Sequence, residues 1–262
     1  MTKKQNIVVA NFKMNLNTKF ELDHWFANFL KAKKGLRLSN TEIVLCPPFL
    51  HLSVFIKKIK TKLVDFGTQD CFWEQKGAFT GEFSPAIIRS MGGRYVILGH
   101  SERRKFLGET DEIIALKVVG ALKAGLCPIL CVGENAQEKQ NDMLLTVVSK
   151  QLKSCLSGVS RGRIENVTVC YEPVWAISAN KPDHLPTSNE IMGAKLLIKK
   201  ILTEKYGASA TNRVRVIYGG SVVGKTAEDV CLSPGVNGAL VGGASLMPYD
   251  FIKIAQIIDG QR

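Results

Sequence analysis

Three side chains suited to proton transfer and charge stabilisation lie directly after strand-like runs of the sequence. Lys13 follows "IVVANF", His100 follows "RYVILG", and Glu172 ends "VTVCYE". A carboxylate and an imidazole can move protons, and an ammonium can stabilise negative charge. Each also has a structural explanation: a solvated lysine, a buried core histidine, and a glutamate that caps a turn. Their arrival at the same end of different strands favours one catalytic site.

Neighbouring residues add to this group. Asn11 lies two positions before Lys13, so both side chains can face the same side of a strand end. Glu102 lies two positions after His100. The first strand therefore predicts an amide and an ammonium at the site, and the fourth strand an imidazole and a second carboxylate.

Two glycine-rich turns, "YGGS" and "VGGAS", follow the last two strand-like runs. Backbone N–H groups without a side chain in the way can surround phosphate oxygens, and a helix that starts after the turn adds its positive end. The alternative is a pair of tight turns.

The elements that must position these residues alternate along the chain. Eight short apolar runs, each typical of a parallel strand covered on both faces, alternate with helical patterns that include 19–33, 112–123, 142–156, 189–206 and 249–258. The runs are "IVVANF", "EIVLC", "KLVDFG", "RYVIL", "CPILC", "VTVCYE", "RVRVIY" and "GALVG". We predict an α/β fold, a (β/α)8 barrel, in which active sites lie at the carboxyl ends of the strands. A doubly wound open sheet is the alternative, although no glycine fingerprint follows the first strand.

The 262 residues are 45% hydrophobic, which is enough for one large core, so we expect a single domain over residues 1–262. The sequence contains no run of eighteen apolar residues, so no membrane span is predicted. The first residues, "MTKKQNIVVANF", lack the pattern of a signal peptide. The expected location is therefore the cytoplasm.

Metal and nucleic-acid sites are not expected. The seven cysteines form no C-x-x-C motif, and the four histidines show no metal-ligand spacing. The net charge of +12 could attract a phosphorylated substrate, an anionic lipid or nucleic acid. The lysines are scattered on amphipathic helix patterns, which favours solvated helix faces over nucleic-acid binding.

The motifs together resemble one family, the triosephosphate isomerases. The resemblance covers nearly the whole chain through "ANFKMN", "GAFTGEFS", "ILGHSERR", "ILCVGE", "YEPVWAI", "YGGSV" and "GALVGGASL", in family order. It implies that dihydroxyacetone phosphate and D-glyceraldehyde 3-phosphate are interconverted through an enediolate, in glycolysis and gluconeogenesis. Moving one proton needs no redox partner, so no cofactor is expected.

The resemblance also implies roles for the residues singled out above. Glu172 would be the base, and His100 a neutral electrophile whose pKa is lowered by the start of the next helix; this pairing is the established description of the family. Lys13 would place positive charge near the phosphate, held by Glu102, and Asn11 would donate to a substrate oxygen. The phosphate would be bound by backbone amides of Ser221, Gly242 and Gly243.

"GAFTGE" resembles the protruding loop of the family, whose Thr80 would insert beside Asn11 and Lys13 of a neighbouring subunit. The resemblance therefore implies a homodimer. A simple surface turn is the alternative.

The loop after Glu172 departs from the family pattern. The family usually continues "AIGTGKTAT", whereas this chain has "AISANKPDHLPT", with additional residues and with Ser178 at the position of a phosphate-binding glycine. Serine keeps the N–H but is strained at positive φ, and Pro182 and Pro186 stiffen the second hinge. We expect a lid that still closes, with altered kinetics or resting population. A tolerated insertion in an exposed loop is the alternative.

Three other functions remain open at this point. Another phosphate-handling barrel enzyme would share the glycine turns but not the combination of Lys13, His100 and Glu172. A binding protein that lost turnover is suggested by the changed lid and opposed by the intact catalytic positions. A basic nucleic-acid binder is the weakest alternative.

Overall fold

A closed barrel of parallel strands forms the centre of the molecule. The computed structural model describes residues 5–177 and 184–260. Within these residues eight strands pair in chain order, and the last pairs with the first. They are β1 (Asn6–Asn11), β2 (Thr41–Cys46), β3 (Val64–Thr68), β4 (Tyr95–Leu98), β5 (Cys127–Val132), β6 (Thr168–Tyr171), β7 (Arg215–Tyr218) and β8 (Gly238–Val241).

Helices surround the barrel. They are α1 (Lys19–Ala32), α2 (Leu52–Lys58), α3 (Pro85–Ser90), α4 (Ser101–Leu107), α5 (Asp111–Lys123), α6 (Ala136–Gln140), α7 (Leu144–Cys155), α8 (Ser188–Tyr206), α9 (Ala208–Asn212) and α10 (Pro248–Ile258). Short 3-10 segments include Val174–Ala176 and Gly243–Leu246. Capping boxes begin α1 at Thr18 and α8 at Thr187, which satisfies backbone N–H groups at both helix starts.

Each strand buries both of its faces, which explains the unbroken apolar runs. In β1, Ile7 and Val9 point into the barrel interior, and Val8 and Ala10 pack against the helices. The two sets belong to separate core clusters, as expected when successive side chains alternate between faces.

The predicted (β/α)8 barrel is confirmed, and the element boundaries differ by a few residues. The strand predicted from Lys62 begins at Val64, where pairing with Ile43 starts, and the one predicted from Arg213 begins at Arg215, opposite Thr168. The residues before them form the turns that enter the barrel. In the described part of the chain, no helix has the length and apolar character of a membrane span.

Candidate active site

A cavity of about 270 Å³ opens at the carboxyl ends of the strands. Residues that follow β1, β4, β6, β7 and β8 line it, so the closed barrel brings together segments far apart in sequence. The lining includes Asn11, Lys13, His100, Glu172, Gly219, Gly220, Gly242 and Gly243. This is the end of the barrel at which the sequence predicted a site.

The carboxylate of Glu172 is buried and held by three donors. Glu172 follows β6, and the residue is 2% exposed. Oε2 accepts a hydrogen bond from the Ser101 N–H at 3.0 Å, and Oε1 accepts one from Ser101 Oγ at 3.2 Å. Oε1 also lies 2.9 Å from His100 Nε2. The carboxylate of Glu172 and the imidazole of His100 are therefore in direct contact.

The imidazole of His100 is oriented by the helix that it caps. His100 is the N-cap of α4, and the Glu102 N–H donates to Nδ1 at 3.3 Å. In the neutral ring this bond places the proton on Nε2, which faces Glu172.

The pKa of His100 is raised in this arrangement. Burial opposes the charged ring, but the adjacent carboxylate of Glu172, with a smaller contribution from Glu102, outweighs burial. The lowered pKa implied by the family resemblance is therefore wrong for this arrangement. The reason is the position of Glu172, whose negative charge lies directly on the ring instead of on a substrate.

The first prediction follows from that contact. In Glu172→Gln the pKa of His100 falls, because the charge that stabilises the imidazolium is gone; NMR titration of the imidazole measures it. Because the pKa of His100 is higher in the folded than in the unfolded state, its protonation stabilises the fold. This stabilisation is fully present below the unfolded-state pKa of about 6.5 and is lost as the pH rises through the folded-state pKa. Unfolding free energies of the parent should show that loss and those of the variant should not. An unchanged His100 pKa would contradict the assignment, and Glu102→Gln serves as the control with a smaller expected shift.

Lys13 occupies a strained backbone position at the end of β1. Its φ is 51°, a left-handed conformation that is costly for a residue with a side chain. The Lys13 N–H donates to Asn11 Oδ1 at 3.0 Å, and Gln69 Nε2 donates to the Lys13 carbonyl at 3.0 Å. Lys13 Nζ lies 2.6 Å from Glu102 Oε1. These contacts fix the ammonium at the rim of the cavity.

The two glycine-rich turns form another part of the cavity wall. Gly242 and Gly243 line the cavity directly, and a Cβ on Gly242 would lie 3.5 Å from Lys13 Cε. Ser221 lies in the turn after β7, but its N–H donates to the Ala176 carbonyl at 3.3 Å. One of the amides that the family resemblance assigns to phosphate is therefore bonded to the first segment of the predicted lid.

Comparisons with known proteins agree with this geometry. The sequence model of the family described as triosephosphate isomerase matches residues 6–258. The chain belongs to the triosephosphate isomerase family. A relative from Dictyoglomus thermophilum named "Triosephosphate isomerase" is 38% identical over 253 residues, covering 97% of this chain and 99% of the relative. Relatives of the same name include one from Thermoanaerobacter pseudethanolicus, 39% identical over 96% of this chain and 98% of its own, and one from Endomicrobium trichonymphae, 38% identical over 97% and 98%.

Two polar residues of this family member were missed by sequence reasoning. Ser101 binds Glu172 through both its N–H and its hydroxyl, and Gln69 bridges the carbonyls of Lys13 and Cys46. Both follow strand ends, as the predicted residues do: Ser101 comes directly after His100, and Gln69 directly after β3.

The segment predicted to be the first hinge of a lid is connected to the barrel by a buried carboxylate. Glu134, which follows β5 and is 0% exposed, accepts hydrogen bonds from Trp175 Nε1 at 2.7 Å and from the Tyr171 hydroxyl at 3.0 Å. His184 packs on Trp175, with ring centroids 5.5 Å apart. Ser178 and Pro182 lie outside the described residues, so the expectations placed on them remain predictions.

A larger cleft of about 1030 Å³ lies beside α6 and Trp175. Lys13, His100 and Glu172 are not among its lining residues.

Gly133 permits the segment after β5 to approach Glu172 closely. A Cβ there would lie 2.0 Å from the Glu172 carbonyl oxygen. Gly133→Ala should therefore displace Glu172, lower kcat, and destabilise the fold by about 1–3 kcal/mol. Enzyme kinetics and denaturant unfolding measure the two effects. The matched control is Gly193→Ala in α8, where a Cβ meets nothing within 4 Å; it should stabilise by about 0.4–1 kcal/mol. Equal behaviour of the two variants would contradict the packing argument.

Thr80 lies on an exposed loop, away from the cavity of its own chain. Two phenylalanines of the same loop are exposed, Phe79 at 41% and Phe83 at 39%. Among the described residues, no three His, Cys, Asp or Glu side chains form a group that could hold a metal ion.

Proposed function

We propose that this chain is a triosephosphate isomerase that uses Glu172 to move a proton between adjacent carbons of a three-carbon sugar phosphate. The observation that carries the proposal is the contact of Glu172 with His100 in a cavity that also contains Lys13 and the two glycine-rich turns. A cavity of about 270 Å³ suits a small substrate.

The substrate would take the place of the Glu172–His100 contact. Its carbonyl oxygen accepts from His100 Nε2, and the carboxylate leaves Ser101 to remove a proton from the neighbouring carbon. Without the carboxylate on the ring, the main cause of the raised His100 pKa is gone, while the Glu102 N–H still bonds to Nδ1. The ring then acts as a neutral donor, in line with the role that the resemblance implied.

The remaining residues would stabilise charge. The ammonium of Lys13 and the amide of Asn11 face the developing enediolate oxygens. Backbone amides of Gly242, Gly243 and Ser221 receive the phosphate, and the Ser221 N–H exchanges its Ala176 partner for a phosphate oxygen. His100 Nε2 passes a proton between the two enediolate oxygens, and Glu172 returns its proton to the other carbon. The reaction therefore needs neither metal nor cofactor.

A coupled assay with D-glyceraldehyde 3-phosphate tests this function. The purified chain should produce dihydroxyacetone phosphate, and a phosphoglycolate-type competitor should inhibit it. If the competitor binds but no product forms, the chain is a binding protein. If neither occurs, a different phosphate-handling activity must be sought.

We also propose a homodimer in the cytoplasm that does not bind nucleic acid. Met14 next to Lys13 is 86% exposed and Leu50 after β2 is 83% exposed, so apolar surface is left uncovered after β1 and β2. In the proposed dimer this surface receives the Thr80 loop of a second copy. Sedimentation velocity tests it: a species of one chain's mass at micromolar concentration would contradict the dimer.

A further inference from the structure

A carboxylate with no part in the proposed reaction lies in the wall of the cavity. Asp250 is the third residue of α10 and lines the cavity together with Gly243 and Val223. Its Oδ1 accepts a hydrogen bond from the Gly224 N–H at 3.0 Å. Gly224 belongs to the turn after β7, whereas α10 follows the turn after β8. One bond therefore connects the segment after β7 to the helix that follows the turn after β8.

The approach of this carboxylate depends on Gly224. A Cβ on Gly224 would lie 2.5 Å from Asp250 Oδ1 and 3.1 Å from Lys253 Cδ. A larger residue at this position would displace the Asp250 carboxylate from its hydrogen bond. The same turn is closed locally, because the Val223 N–H donates to Thr226 Oγ1 at 3.3 Å. The hydrogen bond between Gly224 and Asp250, called the tether below, thus acts on a turn whose conformation is already restrained.

The charge of Asp250 argues against a role in direct phosphate contact. A carboxylate in the wall of an anion site repels the ligand, and the repulsion is stronger in a partly enclosed cavity than in water. The first turn of α10 favours an acidic residue through its positive end, but a more distant position would serve that purpose equally. The hydrogen bond to Gly224 supplies a reason for the carboxylate to lie here.

We propose that Asp250 is a positioning residue for phosphate binding. It holds the turn after β7 at a fixed distance from the turn after β8, so that amides from both turns face one phosphate group. This proposal rests on the proposed function for the identity of the ligand. The arrangement also implies that Asp250 acts on phosphorylated ligands and not on the proton transfer itself.

Two variants of Asp250 separate the tether from the charge. Asp250→Ala removes both, whereas Asp250→Asn keeps an oxygen acceptor for the Gly224 N–H and removes the charge. The matched control is Asp259→Ala. Asp259 directly follows the same helix, and its carboxylate accepts backbone N–H groups of Ser39 and Asn40 at 2.9 Å and 2.8 Å, at the opposite end of the barrel.

Three measurements are made on each full-length variant. The first is kcat/KM for D-glyceraldehyde 3-phosphate, the second is kcat/KM for glyceraldehyde, which lacks the phosphate, and the third is the affinity for inorganic phosphate by calorimetry. Asp250→Ala should lose about tenfold in the first and third, the equivalent of one hydrogen bond, and little in the second. Asp250→Asn should stay near the parent, and Asp259→Ala should change none of the three.

Different outcomes overturn the proposal in different ways. If both Asp250 variants bind phosphate more tightly than the parent, the carboxylate acts only by repulsion. If turnover of glyceraldehyde falls as much as that of its phosphate, or Asp259→Ala matches Asp250→Ala, the role is structural. A parent that binds phosphate but fails to isomerise either sugar would refute the proposed function, while the calorimetry still tests the tether.

Discussion

Glu172→Gln is expected to lower kcat/KM for D-glyceraldehyde 3-phosphate by about 10²–10⁴-fold. Glutamine matches glutamate in size and can still accept hydrogen bonds from Ser101, whose N–H and hydroxyl hold the native carboxylate. It lacks the basicity needed to remove a proton from carbon. The loss should therefore appear in kcat, measured with the coupled assay, while affinity for a phosphoglycolate-type competitor changes far less.

Two further variants make this result specific. Glu172→Asp keeps a base but withdraws it by one methylene, and it should also lose most of the rate because proton transfer requires close approach. Glu204→Gln, on the exposed surface of α8, removes one negative charge far from the cavity and should leave the kinetics unchanged. If Glu172→Gln retained more than about a tenth of the parental kcat, another residue would be the base.

Lys13→Met should lower kcat/KM by about 10²–10³-fold, the loss typical of removing one group that stabilises charge in the transition state. Methionine preserves the length and apolar stem of the side chain. It also avoids the additional strain that a β-branched residue would suffer at a φ of 51°. Steady-state kinetics measure the loss, and both kcat and KM should worsen, since the ammonium faces the substrate in the ground state and the transition state alike.

The partner of Lys13 complicates this variant, so a second one is required. In the parent, the Glu102 carboxylate lies 2.6 Å from Lys13 Nζ. In the variant this carboxylate loses its ammonium partner and would repel the phosphate. The double variant Lys13→Met/Glu102→Gln removes this repulsion and should recover part of the lost affinity, but not the rate. Full recovery of kcat/KM would show that Lys13 serves only to neutralise Glu102.

The sequence was sufficient for the fold because its signal repeats. Each strand buries both faces, as Ile7 and Val8 show by pointing to different core clusters, and so each strand appears as a continuous apolar run. Asn11, Lys13, His100 and Glu172 line one cavity because parallel strands deliver their carboxyl ends to the same side.

The details of the site were not predictable in the same way. The raised pKa of His100 depends on where Glu172 lies before substrate arrives, and the Ser221 amide is occupied by a carbonyl 45 positions earlier in the chain, that of Ala176. The link between Asp250 and Gly224 depends on how two turns pack in space. The residue type indicates which chemistry a side chain can perform. These contacts, in contrast, depend on how segments distant in sequence are placed by the backbone.

The pairing of β8 with β1 has a consequence for synthesis of the protein. Gly238 lies so close to the first strand that a Cβ there would meet the Ile7 carbonyl oxygen at 1.8 Å. Until residues 238–241 leave the ribosome, β1 and β7 remain open edges that can pair with other chains. One edge of β1 must therefore stay unpaired until β8 has been translated. A chaperone that binds the nascent chain early would protect this edge from pairing with other chains.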